Sequence, residues 1–137
     1  MEKGFIIDFT NKAFKKYDRN VISYLLKLKP KTLVKFIDYI YPLKKLKPGL
    51  YPVKDHINLS GFNPLTGPSF ISLTNIYRHT KGITVVGLPQ DVEPNEKEKK
   101  KLINAGVNAI CYNIVPAVIL GAALNLKITA YGIVKDS

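Results

Sequence analysis

The stretch that most limits how this chain can fold lies between Gly82 and Val134. Gly82–Leu88 (GITVVGL) is a β-branched apolar run bounded by glycine and Pro89, which predicts a buried strand. Glu93–Pro94–Asn95–Glu96 opens a helix, with proline in the first turn and acids where the helix dipole favours them. That helix runs to Ala105 and stops at Gly106. Asn108–Tyr112 reads as a second strand, Pro116–Leu126 as a helix of small and apolar residues, and Lys127–Val134 (KITAYGIV) as a third strand. Strand–helix–strand–helix–strand connections of this length require parallel pairing with right-handed crossovers. Strands this continuously apolar point to a sheet covered on both faces. The expected class is α/β, a mixed, mostly parallel sheet with flanking helices.

The first half fits the same plan less sharply. Gly4–Phe9 (GFIIDF) predicts a short buried strand. Thr10 or Asn11 is a candidate cap for a helix through about Leu28, on the spacing of Phe14, Tyr17, Val21, Tyr24, Leu25 and Leu28. Thr32–Tyr39 alternates as a strand, Leu43–Gly49 is a basic turn, and Leu50–Leu59 is extended, with Pro52 marking an edge or a bulge. The Pro/Gly/Asn/Ser-rich stretch Ser60–Ser69 reads as an excursion within one domain spanning residues 1–137, because apolar patterns resume on both sides.

Composition closes off several classes. With one cysteine, Cys111, the chain cannot form an internal disulfide or a cysteine-based zinc site, and no metal site is expected. No apolar run approaches the roughly 18 residues that span a bilayer, and MEKGFIIDF is a poor signal peptide, so a cytoplasmic setting without membrane contact is expected. Charge is lopsided. Residues 1–54 hold twelve lysines and Arg19 against four acids, whereas residues 55–137 hold seven lysines and Arg78 against six. A basic half can serve nucleic acid or another anion. No aromatic-interleaved RNA signature, zinc finger or helix-turn-helix spacing accompanies it, so a solvated basic surface is preferred and nucleic acid disfavoured.

Chemistry is scarce. No G-x-G-x-x-G or P-loop motif supplies a phosphate cradle, and His56 and His79 have no G-x-S-x-G partner. Asp55 and His56, adjacent in an extended segment, face opposite sides and pair only if the chain folds back. In open α/β sheets ligands sit beyond the carboxyl ends of the strands. Here those ends carry Pro89–Gln90, Tyr112–Asn113 and Lys135–Asp136, although any α/β protein exposes some polar groups there.

Asp55–Pro68 (DHINLSGFNPLTGP) resembles the D-H-I-N-L…N-P-L-x-G-P segment of the trimeric purine nucleoside phosphorylases and methylthioadenosine phosphorylases. Phe70–Tyr77 is similar to their F-P-x-M-S-x-A-Y, Gly106–Val118 to G-A-D-A-V-G-M-S-T-V-P-E-V, and Leu126–Asp136 to L-R-V-x-G-x-S-L-I-T-N. The likeness covers about residues 50–137, with a fainter match at Thr32–Val34. It implies a truncated nucleoside phosphorylase core and a homo-oligomer, a trimer favoured. By position it sets Tyr112 at the ribose-stacking methionine, Asn113 at the phosphate-touching serine and Asp136 at the base-contacting asparagine. Glu93 falls near the base-binding glutamate with a one-residue shift, Phe70 is the nearest aromatic to close a neighbouring subunit's site, and Lys135 is a candidate anion contact.

The departures shape the functional expectation. The family's glycine-serine phosphate loop, its R-x-H-x-Y-E-G segment and its ribose-contacting histidine have no recognisable counterpart, and Ile37–Tyr41 replaces N-A-A-G-G. The resemblance therefore implies a degenerate phosphorylase-like protein that binds a nucleoside or purine base without efficient phosphorolysis. The alternatives are an active nucleoside-cleaving pentosyltransferase, with Asp136 or Glu93 as its acid and Lys12 or Lys135 serving the anion, and a basic nucleic-acid or anion-binding module. No cofactor is expected; inorganic phosphate is the co-substrate if the protein is active.

Overall fold

The computed structural model describes residues 4–61 and 76–136. In chain order they form β1 (Gly4–Asp8), α1 (Arg19–Leu26), β2 (Leu33–Tyr39), β3 (Tyr41–Pro42), β4 (Gly49–Asn58), β5 (Ile83–Gly87), α2 (Glu96–Asn104), β6 (Ala109–Cys111), α3 (Ile114–Ala123) and β7 (Lys127–Val134). The strands make one seven-stranded mixed sheet in the order β1-β2-β7-β4-β5-β6-β3. The class is α/β, as expected.

The β5–α2–β6 unit is parallel, with Val85 opposite Ala109 and Gly87 opposite Cys111. The next connection departs from the expected run of three neighbouring strands. After α3 the chain crosses to the far half of the sheet, where β7 pairs in parallel with β2 and antiparallel with the first half of β4. β4 is the splice: Gly49–Pro52 bonds to β7, and Val53–Asn58 bonds to β5 with a register shift between Val53 and Asp55. Proline at the changeover gives up a ladder donor where the partner strand changes, consistent with the bulge read from Pro52.

Cover is also uneven. β5 and β6 are buried on both faces, as their sequences suggest. β2 and β7 instead alternate buried with half-exposed positions, so one face of the β1-β2-β7 half is packed and the other open. The packed face carries Ile7, Val34, Phe36, Ile128 and Ala130 against Val21 and Leu25 of α1 and the buried residues of α3. Gly121 allows α3 to press onto β7, since a Cβ there would lie 2.9 Å from Ile128 Cδ1. The apolar helix read at Pro116–Leu126 thus finds its cover within the chain and does not itself demand a partner subunit.

Helix boundaries show local chemistry overriding periodicity. Asp8 Oδ1 accepts from the Thr10 amide and hydroxyl at 2.9 and 2.5 Å, tying Thr10 into a turn instead of a cap. The cap is Asp18, which accepts from Asn20 and Val21, so α1 begins at Arg19 while Phe14 and Tyr17 pack from irregular chain. In α2, Pro94 precedes the cap, and Asn95 with Glu98 forms a reciprocal capping box. α3 starts at Ile114, so Pro116 falls in its first turn where no N–H is needed, and it ends near Asn125, which has φ of 59°.

Candidate functional site

The carboxyl ends of three strands, β2, β5 and β6, are tied together by side chains. Asn113, which follows β6 and begins α3, is 7% exposed; Asp38, near the end of β2, is 6% exposed. The Asn113 amide donates to Asp38 Oδ2 at 2.7 Å. Its oxygen accepts from the Tyr17 backbone at 2.9 Å and from the Gln90 side chain, beyond β5, at 2.7 Å. Asp38 Oδ1 takes the Tyr39 N–H at 2.8 Å. Burial pushes the Asp38 carboxyl up to about 6, the Asn113 and Tyr39 hydrogen bonds hold it down in part, and the nearby charge of Asp8, at the end of β1, adds to the rise. The centre of this junction is thus an acid. No lysine or arginine joins the network among the described residues.

Beside this junction lies a hollow of about 430 Å³ lined by Tyr41, Asp91, Glu93, Lys99 and Tyr112, with Pro42, Leu43, Pro94 and Ile110 as its apolar wall. Tyr41 and Tyr112 meet edge to face at 5.7 Å, and the Tyr112 hydroxyl donates to the Val92 carbonyl at 2.9 Å. Burial, then the charge of Glu93, raises the Tyr112 phenol above its ordinary value, so the ring stays neutral. Such a space offers aromatic edges, two carboxylates and one ammonium, a set that suits a flat polar ring. A second hollow shares Pro42 and Leu43 and is walled by Lys44, Lys45, Lys47 and Lys135. The Lys135 ammonium stands 4.0 Å over the Tyr39 ring.

The residues singled out from the sequence are therefore divided. Tyr112 and Glu93 share the first hollow and Lys135 lines the second. Asn113, the next residue after Tyr112, is turned into the buried network. Asp136 is exposed past β7 and lines neither hollow, and Phe70 lies outside the described residues. Asp38 was not anticipated, although alternation from Val34 and Phe36 sets it on the packed face of β2. Asp55 and His56 do not form a side-chain pair. His56 Nδ1 and the Tyr77 hydroxyl share a 2.7 Å hydrogen bond, and burial lowers the imidazole's affinity for a proton against the pull of Asp55. Among the described residues no cluster of three metal-ligating side chains forms, and no helix is long and apolar enough to cross a membrane.

No family model and no curated protein matches the chain. Solved structures do. The purine nucleoside phosphorylase of Schistosoma mansoni in a complex with BCX-34 is 21% identical, with a TM-score of 0.68, over 82% of this chain and 52% of that one. A Schistosoma purine nucleoside phosphorylase in complex with hypoxanthine is 20% identical, with a TM-score of 0.67, over 82% and 50%. The chain spans about half the length of these enzymes. With the mixed sheet spliced at β4 and the strand ends gathered at Asn113, the likeness is one of architecture: this chain carries the fold of a purine nucleoside phosphorylase core.

Proposed function

We propose that the chain is a purine nucleoside phosphorylase-like protein that holds a nucleoside or purine base and does not carry out efficient phosphorolysis. The observation that supports this most is the buried Asp38 carboxylate at the junction of the strand ends. Phosphate attack on an anomeric carbon needs a dianion held by several donors in line with the sugar. A dianion entering this junction meets Asp38, with Asp8 close by, and the Asn113 amide is already committed to the carboxylate. The hollow at Tyr41 and Tyr112 is the base subsite in this reading, with Glu93 accepting a ring N–H.

The test pairs binding with turnover. Calorimetric titration with hypoxanthine and with inosine gives saturable binding that Tyr112→Ala and Glu93→Gln each weaken. Inosine with inorganic phosphate releases no hypoxanthine above the buffer rate. Phosphate-dependent, saturable release would overturn the degenerate reading and favour the active alternative, in which Asp136→Ala abolishes turnover. Absence of any base or nucleoside binding would overturn the ligand. The fold's likeness also favours a homo-oligomer, a trimer first; a single monomeric boundary in sedimentation at micromolar concentration would refute it.

A further inference from the structure

The junction at Asp38 and Asn113 is acidic, but the open face of the β1-β2-β7 half has the opposite character. Register and alternation set Lys35, Ile37 and Tyr39 of β2 and Lys127, Thr129 and Tyr131 of β7 on that partly exposed side. The segment after the bridge of Tyr77 to Ile128 runs along the same edge of β7, with the Arg78 N–H bonded to the Ile128 carbonyl at 3.1 Å. Lys35, Arg78 and Lys127 line a hollow of about 280 Å³ with Thr129, Ile6 and Phe5. No carboxylate lines it, and among the described residues none of the three cations makes an ion pair. Asp8, opposite Ile37 in the register, holds the Thr10 amide and hydroxyl and does not line this hollow.

Aromatic rings stand beside these cations in a repeated arrangement. Lys35 Nζ lies 5.3 Å over the Tyr131 ring, and Lys135 Nζ lies 4.0 Å over the Tyr39 ring. His79 meets Tyr131 edge to face at 5.0 Å. Tyr131 pairs with Ile37 and Tyr39 with Ile133, so the two rings share a face two residue pairs apart.

We propose that this open sheet face binds single-stranded nucleic acid, its phosphates at Lys35, Arg78 and Lys127 and its bases on Tyr131 and Tyr39. The charge balance of the chain, +11, favours a polyanion and disfavours a second copy carrying the same lysines. Tyrosines on a sheet present ring faces that unpaired bases stack on and that a duplex cannot use. Binding exchanges the Lys35 cation–π contact with Tyr131 for a phosphate and frees that ring face for a base. The sequence does not display this surface because its parts come from β2, β7 and the segment before β5, and the sheet alone makes them neighbours. The proposal is independent of the base subsite at Tyr112.

Fluorescence anisotropy of the full chain with labelled oligouridine, oligothymidine and a duplex of the same length tests it. Three neutralised phosphates give a log–log salt slope of about −2, hence a loss approaching twentyfold between roughly 50 and 200 mM salt. Lys35→Gln with Lys127→Gln flattens the slope to about −0.7, whereas Lys97→Gln with Lys100→Gln, on α2, removes the same charge and leaves the slope unchanged. Tyr131→Leu keeps the apolar packing and removes the ring; it weakens single-strand binding by roughly tenfold at unchanged slope. Circular dichroism confirms that each variant folds. Absent binding at low salt, an equal effect of the α2 pair, or a duplex bound as tightly as the single strand would each overturn the proposal.

Discussion

Protonating Asp38 stabilises the fold, and the size of the effect follows from where the carboxylate sits. Its affinity for a proton rises from the ordinary 3.8 to about 6, chiefly through burial. The folded state therefore takes up a proton before the unfolded chain does as pH falls. The contribution is fully present below the unfolded value and is lost as pH rises through the folded one. Linkage gives a gain of about 1 kcal/mol between about pH 7 and pH 5, and about 2 kcal/mol by about pH 4. Other groups act over the same range, among them His56, whose buried imidazole must charge on the acid side. The quantity to measure is therefore the difference between the native chain and Asp38→Asn in urea unfolding at each pH. The amide brings a donor opposite the Asn113 amide and shifts the baseline, but it does not titrate, so only the pH-dependent part of the difference belongs to Asp38. That part favours the native chain increasingly toward acid. A difference that stays flat from neutral to acid pH, or one that grows in the other direction, would refute a buried carboxylate at the strand junction.

Three further outcomes follow from packing and hydrogen bonding. Asn113→Ala strips Asp38 of its side-chain donor and removes the oxygen that the Tyr17 N–H and Gln90 donate to, which costs roughly 2–3 kcal/mol of stability in urea unfolding. In Gly87→Ala the new methyl would lie 2.6 Å from Val115 Cβ, so α3 must move off the sheet at a cost of about 1–3 kcal/mol by the same assay. Cys111 is fully buried and its thiol is pushed up to about 12, so a thiol reagent near neutral pH labels nothing until denaturant opens the core, and the labelling rate reports that opening.

Much of the architecture could be read from residue order, and the parts that could not have identifiable causes. The bounds read for β7 match because its apolar run lies between Asn125, which turns the chain, and the charged pair Lys135–Asp136, although the alternating burial of its residues is not evident in KITAYGIV. The stop of α2 at Gly106 was equally plain, since its φ of 90° suits glycine. What periodicity could not show is which strands become neighbours. Lys127–Val134 reads the same beside β6 as between β2 and β4, and that ambiguity scattered the expected site. Asp38 shows a second limit. Its alternation placed it inward, but an acid in a strand is ordinarily taken to face solvent, and the side-chain donor that makes its burial tolerable, Asn113, lies 75 residues along the chain. The beginning of α1 failed for a local reason, because Asp8 captured the residue that would have capped it.

The position of β7 also governs the order in which the molecule can be assembled. Among the described strands it comes last in chain order, yet it lies in the middle of the sheet, between β2 and β4. Until it arrives, the nascent chain holds two unfinished ribbons, β1-β2 on one side and β4-β5-β6-β3 on the other, each with a bare inner margin. β7 is what joins them, so a chain lacking Lys127–Val134 leaves two adhesive edges and no strand to pair them.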